Sequence, residues 1–326
     1  MKKVRVALYG HNGHQVGAQL AGIPEAELAA ICGIPVGQSA FDDAGADRYE
    51  RLEQLLERED IDAISICSPV RSMQFHDIKA ALLAGKHVYA EKPLVMEEGQ
   101  LDELLRLAAS KGLRLREMAS TAYESPYAEI REAVVAGMIG EVVQVAAQKS
   151  YPYADWRPQD ERVDGGLLLQ VGIHAVRWVE QVALQRIAAV SAFQTKLGNP
   201  TANGGLHMAA SLQMRLQNGG IAQAAMNYLN RAGSGIWGSD QLRIFGTLGY
   251  IECLDGGRQV RVVNDEGVTS IEPHSTVKRL SHFHSFIQEV GGRSSELLPM
   301  ETEIRALRVI LGARESAERQ GALIDV

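Results

Sequence analysis

The hydrophobic and polar positions in the first third of the chain alternate between two periods. Short apolar runs, typical of buried strands, are each followed by a stretch whose apolar residues recur at helical spacing. The predicted strands cover residues 4–9, 26–33, 61–68, 86–91 and 113–118. The predicted helices cover residues 14–23, 47–58, 75–85 and 97–112. Strand–helix units repeated at this length predict an α/β domain over residues 1–122, built on a doubly wound parallel sheet.

Beyond residue 123 the pattern changes to strands with little helix between them. The predicted strands cover residues 141–151, 187–197, 207–218, 220–229, 240–247, 249–254 and 258–263. The predicted helices cover residues 127–137, 165–184, 281–292 and 301–321. Residues 123–326 are therefore predicted to form an α+β domain with a large, mainly antiparallel open sheet. This arrangement allows the C-terminal helix to pack back on the first domain.

Composition and charge narrow the classes of partner. The formal net charge is −7, which argues against a nucleic acid or an anionic membrane as the main partner. No apolar run approaches about 18 residues, and no secretory leader is visible. Three scattered cysteines argue against a disulfide framework or a zinc site and suit a reducing compartment. We therefore expect a cytoplasmic protein that binds no nucleic acid, membrane or metal.

A glycine-rich turn follows the first predicted strand. Gly10, Gly13 and Gly17 permit a tight turn and let the backbone approach a bound pyrophosphate. Their G-x-x-G-x-x-x-G spacing differs from the common G-x-G-x-x-G, so a turn without a ligand is the alternative. At the end of the second strand, Gly33 or Ile34 stands where an acidic residue would hold the ribose of NAD. The sequence therefore leaves the choice between NAD and NADP open.

Two residues are candidates for proton and charge chemistry. Lys92 follows a predicted strand at the carboxyl edge of the sheet, where ligands bind in open α/β folds. It can stabilise a developing alkoxide, and a solvated surface charge is the alternative. His174 lies four residues after Gln170 and shares its helix face. Histidine exchanges a proton near neutral pH, and a core histidine is the alternative here.

The loop over residues 150–166, just before the helix that carries His174, combines aromatic and polar residues. Tyr151, Tyr153, Trp156 and Arg157 lie within it. Aromatic faces pack on the C–H faces of sugars, and an arginine binds hydroxyl or carboxylate groups, so these residues can line a carbohydrate pocket. A loop that packs between two domains is the alternative.

Taken together, these segments resemble the glucose–fructose oxidoreductase / inositol dehydrogenase / rhizopine-catabolism (Gfo/Idh/MocA) family. The matching segments are the glycine turn, "IDAISICSP" running into "AALLAGKHVYAEKPL", "GGLLLQVGIHAVRW", "LQNGGIAQ", "IFGTLGYIE" and "ALRVILGARESAERQG". They span nearly the whole chain, and the Glu-Lys-Pro block at 91–93 is the most specific. The resemblance implies that the first domain is a Rossmann domain that binds NAD or NADP.

The resemblance also assigns roles to individual residues. Lys92 and His174 match the family's catalytic lysine and histidine, and the Lys92–Pro93 peptide is implied to be cis. The residues implied to contact the cofactor are Gly10, Asn12, Gly13, His14, Ser68, Pro69, Glu91 and Lys92. The residues assigned to the substrate are Gln170, Tyr151, Trp156 and Arg157. The implied reaction is hydride transfer between the nicotinamide and a secondary alcohol of a sugar, a cyclitol or a derivative.

The chain departs from the family at supporting positions, which keeps two other functions open. Gln170 and Arg177 stand where the family has aspartates, and Gln74 stands near the place of a family histidine. A glutamine accepts no proton and carries no charge that would support an imidazolium. The alternatives are a non-catalytic nucleotide or sugar sensor, and a lyase or hydrolase that recycles bound NAD.

The second domain is predicted to mediate self-association. One parity of a single strand is apolar, and we assign it to the outer face of the open sheet. These residues are Leu206, Met208, Ala210, Leu212 and Met214. Because exposed apolar patches mark interfaces, and because the family pairs these sheets, we expect a homodimer or a homotetramer.

Overall fold

The computed structural model describes residues 2–35, 45–272, 280–295 and 297–326. They fall into two compact units, each with its own sheet. The first unit comprises Met1–Ser120, Arg162–Asp164 and Leu280–Met300. The second comprises Thr121–Glu161, Gly165–Arg279 and Glu301–Val326. The division drawn from the sequence at 122/123 did not include the two later segments that belong to the first unit.

The first unit is built on a six-stranded, all-parallel sheet. Its strands are β1 (Val4–Tyr9), β2 (Ala26–Cys32), β3 (Asp47–Tyr49), β4 (Ala63–Ile66), β5 (His87–Ala90) and β6 (Leu115–Glu117). Its helices are α1 (Gly17–Leu20), α2 (Leu52–Leu56), α3 (Gln74–Leu83), α4 (Glu98–Lys111) and, later in the chain, α7 (His282–Val290). The strand order is β3-β2-β1-β4-β5-β6. This is the doubly wound Rossmann order, as the sequence predicted.

Two elements of this unit differ from the prediction. The helix expected over 47–58 is the strand β3 followed by the short helix α2. The side chain of Arg58 contacts Asp47 and Tyr49, and β3 pairs in parallel with β2. This tertiary contact holds the start of the segment extended despite its helical periodicity. The helix expected over 14–23 is also shorter, since α1 has four residues.

The second unit contains a nine-stranded sheet with helices against one face. Its strands are β7 (Val142–Pro152), β8 (Ile187–Thr195), β9 (Ala209–Leu216), β10 (Ile221–Asn230), β11 (Gln241–Gly246), β12 (Gly249–Leu254), β13 (Gln259–Asn264), β14 (Gly267–Ser270) and β15 (Ile324–Asp325). Their order is β14-β13-β12-β11-β7-β10-β9-β8-β15. Within it β7 and β10 are parallel, and the other neighbouring pairs are antiparallel.

Three helices accompany this sheet. They are α5 (Tyr127–Val135), α8 (Met300–Glu318) and a helix that we call α6, which runs from Leu168 to Val182. Its ends, Leu168–Gly172 and Trp178–Val182, are π-helical, and its middle, Ile173–Arg177, is α-helical. Gly172 of α6 packs against Ile310 of α8 and Met226 of β10, so that a Cβ there would lie 2.9 Å from the Ile310 side chain.

The outer face of this sheet is not the one that the sequence suggested. The apolar residues assigned to it, from Leu206 to Met214, are at most 5% exposed and point into the core of the unit. The alternate parity is exposed and is rich in glutamine and small residues. This face contains a shallow hollow of about 310 Å³. The hollow is lined by Ala146, Ala147, Gln148, Ser211, Gln213, Gln223, Ala224, Ala225, Gln241 and Arg243. The sequence-based assignment of these apolar residues to the outer face was wrong, because an alternating pattern does not say which of its two faces packs against the helices.

Candidate active site

The carboxyl edge of the parallel sheet gathers most of the predicted cofactor residues of the first unit. The glycine turn follows β1, Ser68 and Pro69 follow β4, and Glu91 and Lys92 follow β5. The strand order reverses between β1 and β4, and ligands of open α/β sheets bind at this switch point. The fold therefore brings together residues that lie up to 82 positions apart in the chain.

The glycine turn packs tightly against two neighbouring loops. Gly10 has a φ of +70°, and a Cβ there would lie 2.1 Å from the carbonyl oxygen of Cys67. Gly13 has a φ of +136°, and its Cβ would lie 2.3 Å from Oε2 of Glu91. Only glycine tolerates both the left-handed backbone and this proximity. Both glycines are therefore required by the protein's own packing.

Glu91, which directly follows β5, has a buried carboxylate that contacts the glycine turn at His14. Its side chain accepts from the backbone N–H and from Nδ1 of His14, and from the backbone N–H of Lys92 at 2.9 Å. Burial alone would raise the pKa of Glu91, but the hydrogen bond from His14 and the charges of Lys92, His14 and Arg71 outweigh it and lower the pKa to about 2. The carboxylate is therefore ionised at neutral pH.

The loop that carries Lys92 is held by a residue whose role the sequence did not reveal. The amide of Gln74 is fully buried and donates to the carbonyl oxygens of Glu91 (2.7 Å), Pro93 (3.0 Å) and Leu94 (3.2 Å). Its oxygen accepts from the guanidinium of Arg71. The Lys92–Pro93 peptide is cis, as the resemblance implied. Gln74 thus fixes the backbone on both sides of Lys92.

Other predicted cofactor residues use their side chains within the protein. The Asn12 amide donates to the carbonyl oxygens of Val163 (2.7 Å) and Pro69 (3.1 Å). The Ser68 hydroxyl donates to Asp77 at 2.6 Å and is fully buried. Pro69 and the side chain of His14 remain exposed at the edge. A bound cofactor would therefore meet His14 and Pro69 more readily than Asn12 or Ser68.

In the second unit, His174 lies in the α-helical middle of α6 and is half-buried. Its Nδ1 is 3.4 Å from the hydroxyl of Thr121, a buried residue in a short 3₁₀ turn, Ser120–Tyr123. Gln170 is half-buried one turn earlier, and Arg177 is fully buried. The Thr121 contact orients the imidazole through Nδ1. No sequence pattern pointed to Thr121, which lies 53 residues before His174.

The three loop residues assigned to the substrate have different neighbours. Tyr151 lies beside Trp237, and Nζ of Lys149 is 5.2 Å from its ring centre. Trp156 is 72% exposed. Arg157 is buried with its guanidinium 4.0 Å from the ring centre of Tyr228. Arg157 therefore packs as a core residue, whereas Trp156 projects into solvent.

Lys149 is a further charged residue, half-buried on β7, that the sequence pattern did not single out. It lies on β7 and pairs with Asp240 at 2.6 Å, and Tyr127 donates to the same carboxylate at 3.1 Å. Its position could have been noticed, because it continues the buried parity of Val145 and Ala147. A lysine at such a position needs a buried partner.

Two other kinds of site are not found in the part of the chain that the structure describes. Among the described residues, no group of three histidine, cysteine, aspartate or glutamate side chains is arranged to hold a metal ion. Across the same ranges, no helix has the length and apolar character needed to cross a bilayer.

Comparison with known families identifies the class of protein that this fold and site define. The profile described as "Oxidoreductase family, NAD-binding Rossmann fold" matches residues 4–118. The profile of the GFO/IDH/MocA C-terminal domain matches residues 127–252. The chain belongs to the GFO/IDH/MocA oxidoreductase family, and its first unit is an NAD-binding Rossmann domain.

Individual relatives support the same fold. A dTDP-3,4-didehydro-2,6-dideoxy-alpha-D-glucose 3-reductase of Streptomyces violaceoruber is 37% identical over 142 residues, which cover 43% of this chain and 41% of that protein. A Thermotoga maritima structure has a TM-score of 0.88 at 23% identity, over 99% of this chain and 100% of that one. The aldose–aldose oxidoreductase of Caulobacter crescentus has a TM-score of 0.81 at 19% identity, over the full length of both chains. At these identities the two structural matches show the fold alone.

Proposed function

We propose that the protein is an NAD(P)-dependent oxidoreductase that transfers a hydride between the nicotinamide and a secondary alcohol of a sugar, a cyclitol or a derivative. The observation that carries this proposal is the Glu91–Lys92–Pro93 segment, held at the ligand edge of a family Rossmann domain by Gln74. The name of the Streptomyces relative, a sugar 3-reductase, supports a carbohydrate substrate.

The residues at the edge fit a dinucleotide. The positive φ angles of Gly10 and Gly13 bring the turn backbone to the switch point, and the imidazoles of His11 and His14 are exposed beside it. When bound, the nicotinamide supplies or accepts the hydride. In the proposed reaction Lys92 polarises the substrate oxygen, and Nε2 of His174 exchanges the hydroxyl proton. Thr121 positions His174 through Nδ1.

A non-catalytic sensor is the second candidate, favoured by Gln170 in place of the family's aspartate. A sensor would bind dinucleotide without turnover. The test is a titration of the purified protein with NADH and NADPH, followed by nicotinamide fluorescence, and then turnover against a panel of aldoses, cyclitols and ketosugars. Binding of neither dinucleotide would refute both the oxidoreductase and the sensor of nucleotides, and binding without any turnover would favour the sensor.

The glycine turn offers a matched test of dinucleotide binding. In Gly13→Ala the added Cβ would lie 2.3 Å from Oε2 of Glu91, so the turn and the Glu91 carboxylate at the cofactor edge would have to move apart. We expect dinucleotide affinity to fall by about ten-fold or more in the fluorescence titration. Gly85→Ala is the control, because Gly85 also has a positive φ (+77°) but nothing lies within 4 Å of its Cβ position. Equal affinities of the two variants would show that the turn does not bind the cofactor.

We further propose that the outer face of the nine-stranded sheet pairs with a second copy of the chain. This face has a shallow hollow flanked by exposed apolar side chains, among them Phe193 (61%) and Ile221 (54%). In Ala225→Glu a charge would be buried in that contact, so we expect light scattering to show the mass of a monomer. Val268→Glu, an exposed position on the edge strand β14, is expected to leave the mass unchanged. A monomeric wild-type mass at all concentrations would refute the pairing.

A further inference from the structure

Lys149 and Asp240 form an ion pair inside the second unit. Asp240 directly precedes β11, whose antiparallel partner β7 carries Lys149, and the register places the two residues opposite each other. The Nζ of Lys149 is 2.6 Å from the Asp240 carboxylate, and the two side chains are only 12% and 13% exposed. Tyr127, the first residue of α5, donates to the same carboxylate at 3.1 Å. These contacts hold the ammonium of Lys149 in one place.

Two aromatic rings flank this ammonium. Its Nζ is 5.4 Å from the ring centre of Trp178 and 5.2 Å from that of Tyr151. Trp178 follows His174 by four residues on α6, so the two side chains share a face of that helix, one turn apart. Tyr151 lies near the end of β7, where the chain enters the loop that carries Trp156. The ammonium therefore lies beside both elements of this unit that carry residues proposed for the substrate.

The hydroxyl of Tyr151 is a second hydrogen-bond partner of Lys149. Burial alone would lower the pKa of Lys149, but electrostatic interactions and hydrogen bonds with Tyr151 and Asp240 outweigh it and raise the pKa. Lys149 is therefore charged at neutral pH. Because an ammonium group only donates, the Tyr151 oxygen accepts from it, and the phenolic proton is directed away from Lys149 towards another acceptor.

The ring of Tyr151 also packs against the segment at 237–239. Its ring centre is 6.4 Å from that of Trp237, and a Cβ added at Gly238 would lie 3.5 Å from its Cε1. The N–H of Ser239 donates to the carbonyl oxygen of Ser150 at 3.1 Å, which ties this segment to β7. Trp237 is 60% exposed, so the segment borders solvent. Tyr151 thus has a fixed ring close to the surface from which a substrate would enter.

We propose that Lys149 is a positioning residue for substrate recognition, and that it fixes the Tyr151 hydroxyl as a hydrogen-bond donor to an oxygen of the substrate. This inference rests on the proposed function, because it requires that a sugar, a cyclitol or a derivative binds beside Tyr151. The recognised group is an oxygen that accepts, such as a ring, carbonyl or hydroxyl oxygen. The carboxylate of Asp240 offsets the charge of Lys149, so the position suits a neutral oxygen and not a carboxylate or phosphate group.

The experiment is a double-mutant cycle on KM. The probes are D-glucose, D-galactose and myo-inositol with NAD⁺ and NADP⁺, and D-fructose and L-sorbose with NADH and NADPH. The cycle uses the probe with the highest kcat/KM. Tyr151→Phe removes the hydroxyl and keeps the ring, so we expect KM to rise by about ten-fold while kcat stays within about two-fold.

Lys149→Met should raise KM by about five-fold in the wild type, because the Tyr151 hydroxyl loses the group that orients it. In the Tyr151→Phe background the same substitution should change KM by less than about two-fold, since its effect passes through a hydroxyl that is already absent. A merely structural role of Lys149 predicts effects that add. The KM values of all four proteins in the cycle therefore separate positioning from packing.

Two further variants complete the test. Lys149→Met/Asp240→Asn removes both charges of the pair, and it repeats the cycle if the single lysine variant folds poorly with an unpaired carboxylate. Lys196→Met, at an exposed lysine just after β8, is the control and should leave KM unchanged. An unchanged KM in Tyr151→Phe, or additive effects in the cycle, would overturn this inference and leave the proposed function standing. No turnover of any of the five probes would overturn the proposed function, and this inference with it.

Discussion

Replacing His174 with alanine is expected to lower the turnover number by at least about a hundred-fold, because the variant has no group to exchange the hydroxyl proton. The dinucleotide affinity should stay within about two-fold of the wild type, since the residues predicted to hold the cofactor belong to the other unit. Turnover is measured with a sugar or cyclitol that the substrate panel identifies, and affinity by nicotinamide fluorescence. Unchanged turnover would show that His174 is not the base.

Thr121 provides the matched controls for that experiment. Thr121→Val removes the hydroxyl that contacts Nδ1 of His174 at 3.4 Å and keeps the shape of the side chain. It should lower turnover by about ten-fold with little change in KM, because the imidazole loses a contact that orients it. Thr121→Ser restores the hydroxyl and should recover most of the rate. If both variants lose the same rate, Thr121 acts through packing.

Replacing Gln74 with leucine is expected to lower the free energy of unfolding by about 3 to 5 kcal/mol. The variant leaves the carbonyl oxygens of Glu91, Pro93 and Leu94 without their buried donor, and it removes one acceptor of the Arg71 guanidinium, which keeps the carbonyl oxygen of Asn12. The measurement is denaturation followed by far-ultraviolet circular dichroism. Tryptophan fluorescence is unsuitable, because all three tryptophans lie in the second unit.

Two further variants serve as controls for Gln74→Leu. Met73→Leu, at a neighbouring side chain that is 51% exposed, should change the free energy of unfolding by less than about 0.5 kcal/mol. Gln74→Glu keeps the acceptor for Arg71 but has no donor for the three carbonyls. It should be destabilising as well, and it separates the donor role of Gln74 from its acceptor role. A loss below about 1 kcal/mol for Gln74→Leu would contradict the assigned hydrogen bonds.

Local patterns in the sequence were enough to predict most elements and the edge on which the site lies. Apolar periodicity depends on neighbours within four residues, so strands such as β1 and helices such as α4 are encoded where they occur. The block at 91–93 could be placed at the ligand edge for the same reason, because it follows a strand of a parallel sheet.

The tertiary structure decided which groups those residues meet. The amide of Asn12 donates to the carbonyl oxygen of Val163, which lies 151 residues later in the chain. The hydroxyl of Thr121 contacts His174, which lies 53 residues later. The segment at 47–49 became a strand because it pairs with β2, and the apolar side of β9 turned inward. A sequence pattern repeats every two or 3.6 residues and contains no record of such distant partners. Hydrogen bonds, burial and the choice of face arise only when distant segments pack together, since their free energy belongs to pairs of groups and not to one segment.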